Sequence, residues 1–220
     1  MFIRLMTAGS VITCLMAFGA SAQTVAILTK SEMSSSAPES RTESSFEKGM
    51  RAFESNDEKT AIRYFDMAIS EGANAAIYNK RGCAYARLEQ WKNAIRDFNS
   101  AISIDSSDAM IYYHRGLAEN KTGRYKKSID DCTKAIALNG SMAEAYLVRG
   151  LSIALHGDTE ASMTDFRTAI RLRPDYAEAY YNVGLNYYEA GDHENARKYL
   201  GEAKKLGFEN PELAGYLNKK

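Results

Sequence analysis

The chain has 220 residues, with 28 basic and 28 acidic side chains and a formal net charge of +0. That balance, with no long run of either sign, argues against nucleic acid as the main partner, because neutralising phosphates requires a basic face. The length suffices for one or two ordinary domains.

The first 22 residues differ from the rest. Arg4 precedes an apolar run from Leu5 to Phe18, and Ala20-Ser21-Ala22 offers small residues at a cleavage site. This is the layout of a secretory signal peptide, with Gln23 as the mature start. The run is short for a bilayer span, which needs about 20 residues. The chain is therefore expected to be exported, and periplasmic if the host is bacterial. An uncleaved N-terminal anchor is the alternative, and Thr13 before Cys14 is large for a lipoprotein signal. Residues 23–41, with Ser34-Ser35-Ser36-Ala37-Pro38, are polar and nonperiodic and read as a flexible linker.

From residue 42 onward a unit of about 34 residues recurs five times. Its marker is a glycine: Gly49, Gly82, Gly116, Gly150 and Gly184. Twelve residues on comes a small residue (Ala61, Ala94, Ser128, Ser162, Ala196). Sixteen on comes a mid-sized apolar one (Phe65, Phe98, Cys132, Phe166, Leu200), and nineteen on an alanine (Ala68, Ala101, Ala135, Ala169, Ala203). The last four units carry Tyr78, Tyr112, Tyr146 and Tyr180 four residues before the glycine. Helical spacing within each unit breaks once, so each is a helical hairpin. Gly123, Gly157 and Gly191 stand where a left-handed residue closes the first helix. Asp158 and Asp192 follow as caps for the second, and Gly140 and Pro174 stop it. The units are bounded at 42–74, 75–108, 109–142, 143–176 and 177–210, and 211–220 reads as a short capping helix. Cys83 and Cys132, the two cysteines beyond the leader, fall on helices that should not be neighbours, so both are expected as unpaired, largely buried thiols.

The pattern Tyr78, Gly82, Tyr85, Trp91, Ala94, Phe98, Ala101, with its copy Tyr180, Gly184, Tyr187, Ala196, Ala203, resembles the tetratricopeptide repeat. The resemblance covers residues 42 to about 210 and implies an all-α fold, an α-solenoid of five helix-turn-helix hairpins. The first unit departs by one missing residue and by Ser45 in place of the early aromatic. The third has Glu119 where an aromatic is usual.

Catalytic chemistry finds little support. His114, His156 and His193 sit at different positions of three units with no metal-ligand spacing. The serine-rich stretch has no base beside it, and no glycine-rich phosphate loop follows a strand. No enzyme activity, metal or cofactor is expected.

The resemblance implies that the first helix of each hairpin lines an inner groove. By that analogy Phe46, Met50 and Phe53 of unit one face it, then Asn79, Lys80, Cys83 and Arg87 of unit two. Unit three adds Tyr113, His114, Leu117, Asn120 and Lys121. Unit four adds Leu147, Val148, Leu151 and Leu155, and unit five Tyr181, Asn182, Leu185 and Tyr188. Unit four reads as an apolar floor, and Lys80, Arg87 and Lys121 as a basic-polar set; exposed apolar surface with a polar rim marks protein contact. Two readings stay open: Leu117, Leu151 and Leu185 can instead pack between neighbouring first helices, and Lys80 and Arg87 can be a solvated face. The carboxylate clamp of some tetratricopeptide co-chaperones is not reproduced, because Phe46, Met50, Met110 and His114 replace its basic and amide residues. Five first helices about 8–10 Å apart span roughly 40 Å, which an extended peptide of about a dozen residues would cover.

The expectation is a non-enzymatic scaffold or adaptor of the cell envelope that binds a peptide or partner protein, with no nucleic acid and no membrane after cleavage of the leader. The alternatives are a structural component built by self-association and an accessory subunit of an envelope hydrolase.

Overall fold

In the computed structural model the described residues are 43–210 together with 215 and 216. The expected signal peptide and linker lie outside them, as does the capping segment apart from Gly215 and Tyr216, both helical. The described residues form ten helices and no strand: α1 Ser45–Glu54, α2 Glu58–Gly72, α3 Ala75–Arg87, α4 Trp91–Ile104, α5 Ala109–Lys121, α6 Tyr125–Leu138, α7 Ala143–Leu155, α8 Thr159–Leu172, α9 Ala177–Glu189 and α10 His193–Lys205. They pair as five consecutive hairpins, the all-α solenoid expected from the repeat, and none of them is long and apolar enough to cross a membrane.

Local chemistry sets the helix ends. Ser44 and Glu47 form a reciprocal capping box at the start of α1. Asp57, Asn74, Asp108, Asp158 and Asp192 each accept a backbone N–H at the start of a later helix. Between the helices of every hairpin one residue has positive φ. Gly123, Gly157 and Gly191 take it in units three to five, at 73°, 107° and 79°, while Asn56 and Glu89 hold the same place in units one and two. A helix forced into left-handed backbone stops there, and the chain reverses.

The marker glycines exist for the ring opposite. A Cβ placed on Gly82 would lie 2.6 Å from the Phe98 ring, and one on Gly150 2.7 Å from Phe166. The side chain sixteen residues on therefore enters space that only a glycine leaves, and Phe65, Phe98 and Phe166 are sealed as a result. Cys132 fills this place in unit three, beneath Gly116. Both Cys83 and Cys132 are free thiols.

Neighbouring units are also tied by polar groups that the sequence reading overlooked. Arg81, Arg115 and Arg149, each one residue before a marker glycine, grip Asp97, Asp131 and Asp165 with two nitrogens at 2.6–2.8 Å. The third nitrogen of each reaches back to the preceding unit, to Asp66, Asn99 or Thr133. Such bidentate forks fix angle as well as distance. Unit five has Val183 at this position, and its junction is held instead by Arg167 on the Tyr187 hydroxyl at 2.6 Å.

Successive first helices touch one another: α1 with α3, α3 with α5 and α5 with α7. The second helices show no comparable approach to one another. In a curved stack the row with the shorter spacing is the inner one, so the first helices line the inner face.

Candidate functional site

The inner face takes its side chains from one stripe of each first helix, at helical spacing around the marker glycine. The structure separates the residues expected there into three groups.

Three expected groove residues are corrected to core. Leu147 is 2% exposed and packs with Phe166, Ala169, Ala179 and Val183. Val148 is 4% exposed. Tyr181, 8% exposed, stacks on Phe208 with ring centroids 4.5 Å apart, and Asn210 donates to its hydroxyl. Leu147 is thus turned onto α8 and α9, and Tyr181 onto the segment that follows α10, instead of toward the inner surface. The proposed apolar floor of unit four is thereby reduced to Leu151, half-buried, and Leu155, which is 57% exposed.

A second group joins the units to each other. Arg87 donates to the Phe53 carbonyl at 2.9 Å, lies over the Phe53 ring at 3.7 Å and reaches Glu58. Asn120 donates to Ser152 Oγ at 2.9 Å. His114 sits between units two and three, with Nδ1 3.0 Å from Asn79 Oδ1 and 3.4 Å from Cys83 Sγ. Although a Cys–His–Asn set can serve nucleophilic catalysis, this one is tuned the other way. Burial pushes the Cys83 thiol up to about 11, and burial with the Lys80 charge lowers His114 to about 4. At neutral pH both are uncharged, and no thiolate is available.

The third group remains open on the inner face: Lys80, Tyr113, Lys121, Leu151, Leu155, Asn182 and Tyr188, none of them fully buried. Asn182 donates to the Glu178 carbonyl at 2.7 Å, and Tyr188 meets the Tyr216 ring edge-on at 4.7 Å. Tyr113 is half-buried and packs against the core shared by units three and four. Its hydroxyl is raised by burial and acts electrostatically on Tyr176, which burial and the Glu178 charge push up to about 12. Arg173, with its guanidinium 4.4 Å over the Tyr176 ring, pairs with Glu144.

Glu119, which takes an aromatic's place, is 4% exposed, paired with Arg124 and raised by desolvation. Away from the groove, a cleft of about 620 Å³ opens between α8 and α9, bordered by Met163, Arg167 and Tyr187. Among the described residues no three His, Cys, Asp or Glu side chains are grouped to hold a metal ion.

Comparison with known proteins agrees with this architecture. The model described as "TPR repeat" matches residues 82–123 and 150–191, and the one described as "Tetratricopeptide repeat" matches 109–142 and 177–206. Together they take in more than half of the chain. Over 58 residues the chain is 34% identical to sperm-associated antigen 1 of Mus musculus, covering 26% of this chain and 6% of that protein. A crystal structure of MamA superposes with a TM-score of 0.66 at 26% identity, covering 72% of this chain and 93% of that one. A MamA structure from Desulfovibrio magneticus RS-1 gives 0.66 at 21% identity, covering 72% and 90%. YrrB, described as a TPR protein with an unusual peptide-binding site, gives 0.64 at 23% identity, covering 84% and 97%. With the hairpins, the glycine-and-ring packing and these matches in agreement, the chain belongs to the tetratricopeptide-repeat family.

Proposed function

We propose that the chain is a non-enzymatic adaptor of the cell envelope that holds a peptide segment or partner protein against its first helices. The supporting observation is Leu155. It is 57% exposed at the end of α7, beside half-buried Leu151 and with Lys121 and Tyr188 on the helices to either side. An aliphatic group in water next to charged and aromatic groups is the composition of a contact surface. Fold kinship with YrrB is consistent with peptide recognition on this scaffold. The envelope location draws on the leader-like residues 1–22.

The test is a double variant, L151E/L155E, compared with wild type for partner retention by affinity isolation from the native host. Loss of the retained partner at unchanged helicity and unfolding midpoint supports the groove. Undiminished retention contradicts it.

A further inference from the structure

The cleft of about 620 Å³ between α8 and α9 has a cause in the sequence. Thr159, which borders it, begins the second helix of unit four. In units two and three that place belongs to Trp91 and Tyr125, both half-buried. Trp91 packs against a core that includes Ala118 of the next unit. In unit one the place belongs to Glu58, which reaches Arg87 of the next unit. Thr159 is too short to do either, and the space before unit five stays open.

The two ends of the cleft differ chemically. At one end half-buried Met163 lies near Tyr187, whose hydroxyl accepts from Arg167 at 2.6 Å with the guanidinium 5.9 Å from the ring centroid. A thioether, a ring and a guanidinium around one space suit an aromatic ring. The other end is built of acceptors. Asn186 is 8% exposed and donates its amide to Ser162 Oγ and the Thr159 carbonyl. Its Oδ1 has no donor among the described residues and is left to the cleft. Glu160 directly follows Thr159, and Glu189 lies one helical turn beyond Asn186, so both carboxylates border this same end. Both are exposed, and neither is in an ion pair among the described residues. Arg167 is about two turns further along α8.

We propose that this cleft, separate from the groove, binds a small arylalkylamine. Its ring lies beside Met163, Tyr187 and Arg167, and its ammonium lies among Glu160, Glu189 and Asn186 Oδ1. An ammonium carries three donors and no acceptor, which complements that end, whereas a carboxylate finds no donor there. The volume suits one small molecule, since such sites run from about 300 to 1,000 Å³.

Equilibrium dialysis at low salt against tryptamine, indole-3-propionate and butylamine tests this. Tryptamine should bind about tenfold tighter than either of the others, which lack the ammonium or the ring. Thr159→Trp puts the chain's own ring into the space, as Trp91 does in unit two, and should abolish tryptamine binding. E160Q/E189Q changes only exposed side chains and should remove the preference for amine over acid. Thermal melts establish that each variant is folded; should Thr159→Trp unfold, E160Q/E189Q alone decides. L151E/L155E should bind tryptamine as wild type does, so failure at the cleft leaves the groove reading untouched. No tryptamine binding, equal binding of the three compounds, full binding by folded Thr159→Trp or an amine preference that survives E160Q/E189Q overturns the proposal. So does a capped lysine-tryptophan-lysine peptide that binds tighter than tryptamine, because the ligand would then be a protein segment.

Discussion

Ser128 Oγ lies 2.7 Å from Ser152 Oγ, a buried hydroxyl pair joining the second helix of unit three to the first helix of unit four. Ser152 also donates to the Val148 carbonyl at 2.8 Å and accepts from Asn120 at 2.9 Å. One junction on, Ser162 and Asn186 hold the same relationship at 2.9 Å. At the two earlier junctions the equivalent positions are Ala61 with Ala84 and Ala94 with Ala118, all buried. The position is polar on both sides or apolar on both sides, as expected where an unmatched buried hydroxyl is costly.

This matching predicts non-additivity. Ser152→Ala strands the Ser128 hydroxyl and the Asn120 amide and should cost about 1–3 kcal/mol. The S128A/S152A double variant reproduces the alanine junctions and should cost clearly less than the two single variants summed. A double-mutant cycle in urea measures the coupling; strict additivity would contradict the account.

The glycine-and-ring packing predicts opposite outcomes for two Gly→Ala changes. Gly72→Ala meets nothing within 4 Å and should be neutral or slightly stabilising, by up to about 1 kcal/mol. Gly82→Ala drives a methyl against Phe98, which is 0% exposed. Overpacking of about 1–3 kcal/mol should outweigh the helix-propensity gain, and G82A/F98L should recover part of the loss. Chemical denaturation midpoints decide the sign.

The arginine forks predict that replacement by another cation is not conservative. Arg115→Lys loses the two-nitrogen grip on Asp131 and the reach to Asn99, and should destabilise by about 1–2 kcal/mol. Arg115→Met leaves Asp131, whose side chain is 10% exposed, without its partner and should cost more, about 2–4 kcal/mol. Equal losses for the two would show that the charge alone matters.

His114 gives a pH prediction. Its folded-state pKa is lowered to about 4 from an ordinary 6.5, by burial and by Lys80 against the opposing pull of Asp108. The unfolded chain therefore binds the extra proton more readily. Stability from this site is fully present above pH 6.5 and declines as pH falls toward 4. The shift sets a ceiling of about 3 kcal/mol. His114→Gln should flatten this part of the pH–stability curve relative to wild type, while acid loss below pH 4 from the aspartates persists. Parallel curves for the two proteins between pH 7 and 4.5 would contradict the assignment.

Fold and site were legible in the sequence to different degrees, for a physical reason. Helix number, the reversal at Gly123, Gly157 and Gly191, and the caps Asp158 and Asp192 follow from local chemistry repeated in register. Which first-helix residues stay open does not, because it depends on how far each unit rotates against the next. Leu147 and Tyr181 fall within the stripe that faces the groove yet are covered by unit five and by Phe208. The arginine forks did leave a signal: in units two to four an Arg precedes the marker glycine and an Asp follows it by fifteen. The eye goes to apolar positions that recur in all five copies and misses a charged pair present in three.

On the proposed function the partner meets the inner face and not the outer one. A photo-crosslinking amino acid placed at Leu155 on α7 and, separately, at exposed Lys134 on α6 tests it in living cells of the native host. The account predicts a discrete adduct from Leu155 that disappears when L151E is added, and none from Lys134. The same adduct from Lys134, with nothing from Leu155, would contradict it.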